Sequence, residues 1–123
     1  MRRHEEMLKT GKVSIWIGNM TSEMNFLSYI DDGEFGRDFD FKVSPDFGRE
    51  LKTEAHAASL EQLVHGFSAW KSFGDACVQR GEQLGINSAN CMVIFYTFEY
   101  VPSPKVSRNA GVTFLGTFDF FRT

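Results

Sequence analysis

The residues best suited to chemistry lie together in YIDDGEFGRDFDF, residues 29–41, where carboxylates are interleaved with aromatic rings. Clustered carboxylates steer a basic partner over long range, and exposed aromatic rings supply the contact area that holds it. In the alternative interpretation, the rings point into the core and the acids only keep a loop solvated. The candidate partner-binding residues of this segment are Asp31, Asp32, Glu34, Phe35, Asp38 and Asp40.

The spacing of the residues gives little support for a metal site or for catalysis. The acidic segment lacks the alternating oxygen ligands, the sixth-position glycine and the terminal glutamate of a calcium loop. His4, His56 and His65 are the only histidines, and none is paired with a cysteine or a second histidine at zinc-ligand spacing. No GxSxG elbow, Cys–His signature or HExxH motif occurs. We therefore expect no catalytic residue, no metal site and no cofactor.

A glycine turn ends the strand-like stretch KVSIWIGNM, residues 12–20. Phosphate-binding loops are also built from a strand, a glycine turn and a helix. The turn at Gly18 and Asn19 lacks the spacing and the lysine of a P-loop, and it has one glycine where a dinucleotide fingerprint needs three. We expect a corner of the chain, with the glycine needed for a positive φ or for close backbone approach.

The tryptophans and cysteines divide between core and surface. Trp16 lies in a strand that is apolar on both faces, which predicts a core position. Trp70 lies in GFSAWKSFG between two predicted helices, where partial exposure is expected, and it is a further candidate for partner binding. Cys77 and Cys91 are predicted to be reduced, buried thiols, because two cysteines in a chain without an export signal seldom form a disulfide.

The composition fits one globular domain. The 123 residues include 42% hydrophobic and 15% aromatic side chains, enough to build a core without a metal or a disulfide. The formal net charge of -3 disfavours nucleic acid as a partner, because nucleic acid requires a basic face. No apolar run approaches the roughly 20 residues that span a bilayer, and the N-terminus lacks the apolar stretch of a signal peptide. The expected location is the cytoplasm, with no membrane partner.

The pattern along the chain predicts an α+β fold. Residues 1–10 are expected to form a polar tail that is mobile or loosely docked, and residues 11–123 to form a single domain. The predicted element order is β-α-β-β-α-α-β-β. It indicates one mixed β-sheet with helices packed mainly on one face.

Individual elements are predicted from hydrophobic periodicity and end signals. Residues 13–17 and 91–100 are apolar on both faces and predict inner strands, whereas the charged stretch 51–57 predicts an edge strand. Residues 39–43 predict a short, half-exposed strand, and residues 112–121 a last strand. Helices are predicted after a cap at Thr21 or Ser22, after Ser59, and from about Ser72 to Leu84 with Gly85 in the stop position.

Several short motifs occur in an order that points to one family. They are VSIWIGN (13–19) with a Ser-Glu helix start, GFS (66–68), LGI (84–86) followed by Ala89-Asn90, VIFYTFEY (93–100) and FLGTFDF (114–120). Over roughly residues 11–121 the chain resembles the immunity protein 22 family of bacterial polymorphic-toxin systems. The stretch DFGRELKTEA (46–55) is less acidic than the family pattern, which leaves the toxin class open.

The resemblance implies a small cytosolic protein that binds a cognate toxin and blocks it without catalysis. The leading hypothesis is an inhibitor whose acidic and aromatic surface covers a basic toxin site, such as that of a nuclease. The alternative is a small enzyme or ligand-binding domain with a pocket between the sheet and the helices. A generic scaffold subunit is a third hypothesis.

Overall fold

The computed structural model describes residues 1–44, 48–103 and 111–121. Six strands and four α-helices occur in these residues, which confirms the predicted α+β class. In chain order the elements are β1 (Arg2–Arg3), a 3-10 helix (His4–Met7), β2 (Leu8–Gly18), α1 (Glu23–Asp31), α2 (Glu34–Phe39), β3 (Phe41–Lys42), β4 (Arg49–Ser59), α3 (Leu60–Val64), α4 (Trp70–Leu84), β5 (Ser88–Phe98) and β6 (Val112–Asp119).

The main sheet has four strands in the order β4-β5-β2-β6. In the described part of the chain its three pairings are all antiparallel, and parallel pairing is confined to the separate two-stranded sheet of β1 and β3. The expectation of one mixed sheet was therefore wrong in this detail. The strand positions agree with the sequence, since the doubly apolar strands β2 and β5 are central and the charged strand β4 lies at an edge.

Helices cover both faces of the main sheet. On one face, Val13, Ile15 and Ile94 belong to a buried cluster with residues of α3 and α4. On the other face, Trp16 and Phe95 belong to a second buried cluster with residues of α1 and α2. The expectation that helices pack mainly on one face was wrong, because a strand that is apolar on both faces needs a covering layer on each.

The N-terminal ten residues are docked rather than loose. His4 is 1% exposed and Met7 is 5% exposed, and the carbonyl of Met7 accepts a hydrogen bond of 2.8 Å from the Glu99 amide. The Ser44 amide donates to Nδ1 of His4 at 3.3 Å, and burial lowers the pKa of this imidazole. The charged residues around His4 and Met7 give this segment the composition of a tail, although these two side chains anchor it in the core.

The Gly18 turn is a corner of the chain. The Asn19 amide donates to the carbonyl of Gly111 at 2.9 Å, and a Cβ added to Gly18 would lie 2.1 Å from that same oxygen. Positive φ is not the reason for this glycine, because Gly18 is outside the set of positive-φ glycines. Close approach of two backbone segments is what excludes a side chain here.

Candidate functional site

The acidic segment folds mainly as α2, not as the predicted loop leading into a strand at residue 39. Phe35 and Phe39 are four positions apart, so a helix places both rings on one face. The helix is bounded by residues in the left-handed conformation, Gly33 with φ 94° and Asp40 with φ 62°. Strand β3 therefore begins only at Phe41.

The aromatic rings of the acidic segment point into the core. Phe35 is fully buried, and its ring contacts that of Trp16 at a centroid distance of 5.1 Å and that of Phe95 at 5.8 Å. Tyr29, Phe39 and Phe41 are also buried. Phe35 is therefore wrong as a surface contact residue, because the helix turns its ring toward the sheet. The alternative interpretation, in which these rings are core, is correct.

Two of the predicted carboxylates bind groups of the protein itself. The Tyr29 hydroxyl donates to Asp38 at 2.8 Å. The carboxylate of Asp40 accepts a 2.7 Å hydrogen bond from the Ser103 hydroxyl and lies 3.8 Å from Nε of Arg2. Both residues are half-buried. They hold α2 and its C-terminal turn in place, so they leave little carboxylate surface for a partner.

The remaining carboxylates form the acidic surface, which we define as Asp31, Asp32 and Glu34. All three are exposed at the junction of α1 and α2. Asp31 forms an ion pair with Arg49 of β4. Asp32 and Glu34 have no ion-pair partner among the residues that the structure describes. Asp32 lies at the C-terminal end of α1, where a negative charge opposes the helix dipole and so does not favour folding.

Trp70 lies at the start of α4, on the other face of the sheet. Its ring is half-buried, as predicted, and contacts the His65 ring at a centroid distance of 4.4 Å. The preceding residue, Ala69, has a left-handed φ of 60°, which is unfavourable for a residue with a Cβ. Phe121 is 66% exposed, and its amide donates to the Ser72 hydroxyl at 3.1 Å. We define the Trp70 surface as His65, Trp70, Lys71 and Phe121.

Two clefts meet at Trp70. One of about 390 Å³ is lined by Trp70, Lys71 and Phe121 with two neighbours. The other, of about 280 Å³, runs along α3 and α4 and contains the carboxylates of Glu61 and Asp75. The sequence indicated Trp70 but not Phe121 or His65. The signal for Phe121 is the ending FDFF: of the two adjacent rings that follow β6, Phe120 is buried and Phe121 is exposed.

A third cleft, of about 320 Å³, separates β4 from the turn between α3 and α4. Its polar side chains bind the protein itself. Nζ of Lys52 donates to the carbonyls of Gln62 and His65 at 3.0 and 3.1 Å. Glu50 accepts hydrogen bonds from the Ser68 amide at 2.9 Å and from the Tyr96 hydroxyl at 3.3 Å. This cleft is the place where the alternative hypothesis would put a small ligand, yet its charged groups already have partners.

The family model of Immunity protein 22 matches residues 13–120, which is most of the chain. The chain belongs to the Immunity protein 22 family. An immunity function follows in general terms, and with it a toxin as the partner. No curated protein and no solved structure matches the chain.

For a member of the Immunity protein 22 family, the relevant candidates are the surfaces open to another protein. The fold places the acidic surface with α1 and α2 over one face of the sheet, and the Trp70 surface with α3 and α4 over the other. The predicted site residues are therefore not brought together into one patch. Strand β4 lies between the two surfaces, because Arg49 reaches the acidic surface while Lys52 reaches the turn that carries His65.

The cysteines of this Immunity protein 22 member are structural. Cys77 and Cys91 are free and buried, as predicted. Burial raises the pKa of each thiol to about 12. Within the described ranges, no group of three or more His, Cys, Asp or Glu side chains is placed to hold a metal ion. No helix in that part of the chain is long and apolar enough to cross a membrane.

Proposed function

We propose that the chain is a non-catalytic immunity protein that binds its cognate toxin in the bacterial cytoplasm and neutralises it by covering the toxin's working surface. The observation that carries this proposal is the match of the Immunity protein 22 family over residues 13–120. The toxin belongs to a polymorphic-toxin system. It is either delivered by a neighbouring cell or made by the same cell and bound before it is exported.

The acidic surface is the first contact that the toxin makes. Asp32 and Glu34 are exposed and are not neutralised by an ion pair with a described residue. Exposed carboxylates attract a basic surface over about one Debye length, roughly 8 to 10 Å at ordinary ionic strength. A nuclease must hold phosphates with basic groups, so a nuclease active site is the toxin surface that best matches these charges.

Trp70 supplies a contact of a different kind. A half-buried tryptophan at the junction of two clefts offers a large rigid apolar face, and such residues dominate binding energies when a partner buries them. In this proposal the acidic surface accelerates association with the toxin, and Trp70 slows dissociation of the complex.

The test is a binding measurement against the toxin encoded by the adjacent gene, made by stopped flow or surface plasmon resonance at low and high salt. The test variant is Asp32→Asn with Glu34→Gln. The matched control is Glu82→Gln with Glu99→Gln, which removes the same charge from exposed positions elsewhere. We expect the test variant to associate about 3- to 10-fold more slowly at low salt, with an unchanged dissociation rate, because exposed charges act mainly on encounter.

One result would contradict the role of the acidic surface, and another would contradict toxin binding itself. Equal association rates for the test and control variants would show that the acidic surface does not steer the toxin. Absence of binding by the wild-type chain to the toxin, with both proteins folded, would overturn the immunity mechanism itself.

A further inference from the structure

Strand β4 has a free edge. Within residues 1–44, 48–103 and 111–121, it is the outermost strand of the main sheet on its side and pairs only with β5. The Tyr96 amide donates to the Gly48 carbonyl at 3.0 Å, and from there hydrogen-bonded positions alternate along the pair. Glu50 and Lys52 therefore direct their backbone groups toward β5, whereas Arg49, Leu51 and Thr53 direct theirs outward. Among the described residues, no backbone group pairs with these outward groups.

The usual protection of an edge is weak along this stretch. Edge strands are commonly guarded by lysines, other charges and bulges. Here the Lys52 ammonium is held by the carbonyls of Gln62 and His65, and Glu50 is held by Ser68, so both charges are turned onto the α3–α4 turn. A bulge follows between Thr53 and Ala58, where the register with β5 shifts. The bulge interrupts regular pairing toward the C-terminal end of β4, whereas residues 49–53 keep a regular strand geometry.

The opposite edge of the sheet is closed in a different way. Strand β6 has a register shift opposite Ile15 and Trp16, and Nε of Arg80 donates to the carbonyl of Leu115 at 3.2 Å. Helix α4 packs against β6 and carries this arginine. A strand that approached β6 would therefore have to displace the Arg80 side chain. Of the two edges of the main sheet, the edge of β4 offers a regular run of backbone groups that no described residue pairs with.

The free edge connects the two candidate surfaces. On one side, Arg49 pairs with Asp31 of the acidic surface. On the other side, β4 lines the cleft of about 320 Å³ whose far wall includes His65, and the His65 ring contacts Trp70. A protein that touches both surfaces has to cross this edge. Side-chain specificity and main-chain pairing would then act on the same partner segment.

We infer that an extended segment of the toxin binds along β4 and adds a fifth strand to the sheet. This inference rests on the proposed function. The segment pairs through the outward groups of Arg49, Leu51 and Thr53 and inserts a side chain into the cleft beside β4. It carries a lysine or arginine beside the acidic surface, where the exposed Asp32 carboxylate complements a positive charge. A second copy of this chain is the competing occupant.

The direct test is residue-resolved amide hydrogen exchange of the full chain, alone and saturated with the adjacent-gene toxin. The amides of Arg49, Leu51 and Thr53 should exchange quickly in the free chain and at least about tenfold more slowly in the complex, because hydrogen bonding protects an amide. The amides of Glu50 and Lys52 serve as the internal control, since they are already bonded to β5. Unchanged exchange at the three outward amides in a saturated complex would overturn the inference while leaving the proposed function intact.

A pair of variants tests the same point by affinity. Thr53→Pro removes an outward N–H without removing a bond to β5, and Thr53→Ala is the matched control that keeps the N–H. We expect the proline variant to bind the toxin about tenfold more weakly and the alanine variant to bind normally, because the ring also blocks the approach of a strand. Melting curves show whether each variant is folded. If the proline variant is unfolded, the hydrogen-exchange measurement on the wild-type chain decides whether the inference holds.

The remaining outcomes are also decisive. Equal toxin affinity of folded Thr53→Pro and Thr53→Ala would overturn the inference. A dimer of the free chain by sedimentation, with its three outward amides already protected, would assign the edge to a second copy and would also overturn it. Failure of the wild-type chain to bind the toxin at all would remove the proposed function, and this inference with it.

Discussion

The acidic segment and the Trp70 surface both have aromatic rings near carboxylates, which at the Trp70 surface are Glu61 and Asp75 of the adjoining cleft, but the fold buries the rings of only the first. In the acidic segment the rings are buried, and the exposed side chains are the carboxylates of Asp31, Asp32 and Glu34 and the guanidinium of Arg37. At the Trp70 surface the Phe121 ring is exposed and the Trp70 ring is half-buried, and both residues line a cleft. The difference shows that interleaved aromatic and acidic residues do not identify a contact surface until the direction of the rings is known.

The largest expected effect separates the two regions by stability. Phe35→Ala should lower the free energy of unfolding by about 3–5 kcal/mol, because it removes a fully buried ring that contacts Trp16 and Phe95. Trp70→Ala should cost about 1–2 kcal/mol, because its ring is only half-buried. Chemical denaturation of both variants measures this difference. If Trp70→Ala proved as destabilising as Phe35→Ala, the assignment of Trp70 to a surface would be wrong.

Two helical glycines provide a sharper comparison of packing. A Cβ on Gly36 of α2 would lie 2.4 Å from the Phe41 carbonyl oxygen, so Gly36→Ala should destabilise the fold by about 1–3 kcal/mol. A Cβ on Gly74 of α4 would lie 3.4 Å from the Trp70 ring, an ordinary contact. Gly74→Ala should therefore stabilise the helix by about 0.5–1 kcal/mol. Thermal melting of the two variants would refute the comparison if the shifts had the same sign.

The reactivity and titration of the two thiols test whether both faces of the sheet exclude solvent equally. Cys91 lies in the cluster beneath α1 and α2, and Cys77 in the cluster beneath α3 and α4. Burial raises each thiol pKa from 9.0 to about 12, so the unfolded chain loses thiol protons first as pH rises. The stabilisation is fully present below pH 9 and declines above it, by about 2 kcal/mol for the two thiols between pH 9 and 10.

The measurement is the pH dependence of unfolding for the wild type and for the variant Cys77→Ala with Cys91→Ala, which lacks this contribution. The double variant should show a shallower loss of stability above pH 9. Neither native thiol should react rapidly with a thiol reagent near neutral pH, since the thiolate is the reactive species. Fast modification of only one thiol would show that its face of the sheet is open to solvent.

The sequence predicted correctly those elements whose hydrophobic pattern and end signals are compatible with only one kind of secondary structure. Strands β2 and β5 are apolar on both faces, and α4 ends at Gly85 in the left-handed conformation, as expected from its position. Ser22 and Ser59 cap α1 and α3 through hydrogen bonds of 3.1 Å. The edge position of β4 followed from its charges, and the family followed from the order of short motifs.

The errors arose where two periodicities compete. Phe39, Phe41 and Val43 alternate as in a strand, but Phe35 and Phe39 have helical spacing, and the left-handed residues Gly33 and Asp40 let the chain form a short helix first. The prediction that Phe35 is a surface contact residue was wrong for the same reason. The docking of residues 1–10 depends on contacts of His4 and Met7 with distant parts of the chain, which local composition does not contain.

The central claim is that the chain neutralises a toxin by binding and not by chemistry. The most direct measurement is a titration of the toxin's activity with the purified chain, repeated after short and long incubation. Stoichiometric binding predicts a linear loss of activity that ends at a fixed ratio of chain to toxin and does not change with time. Progressive inactivation by a small fraction of that amount would contradict the account, because only a catalyst turns over.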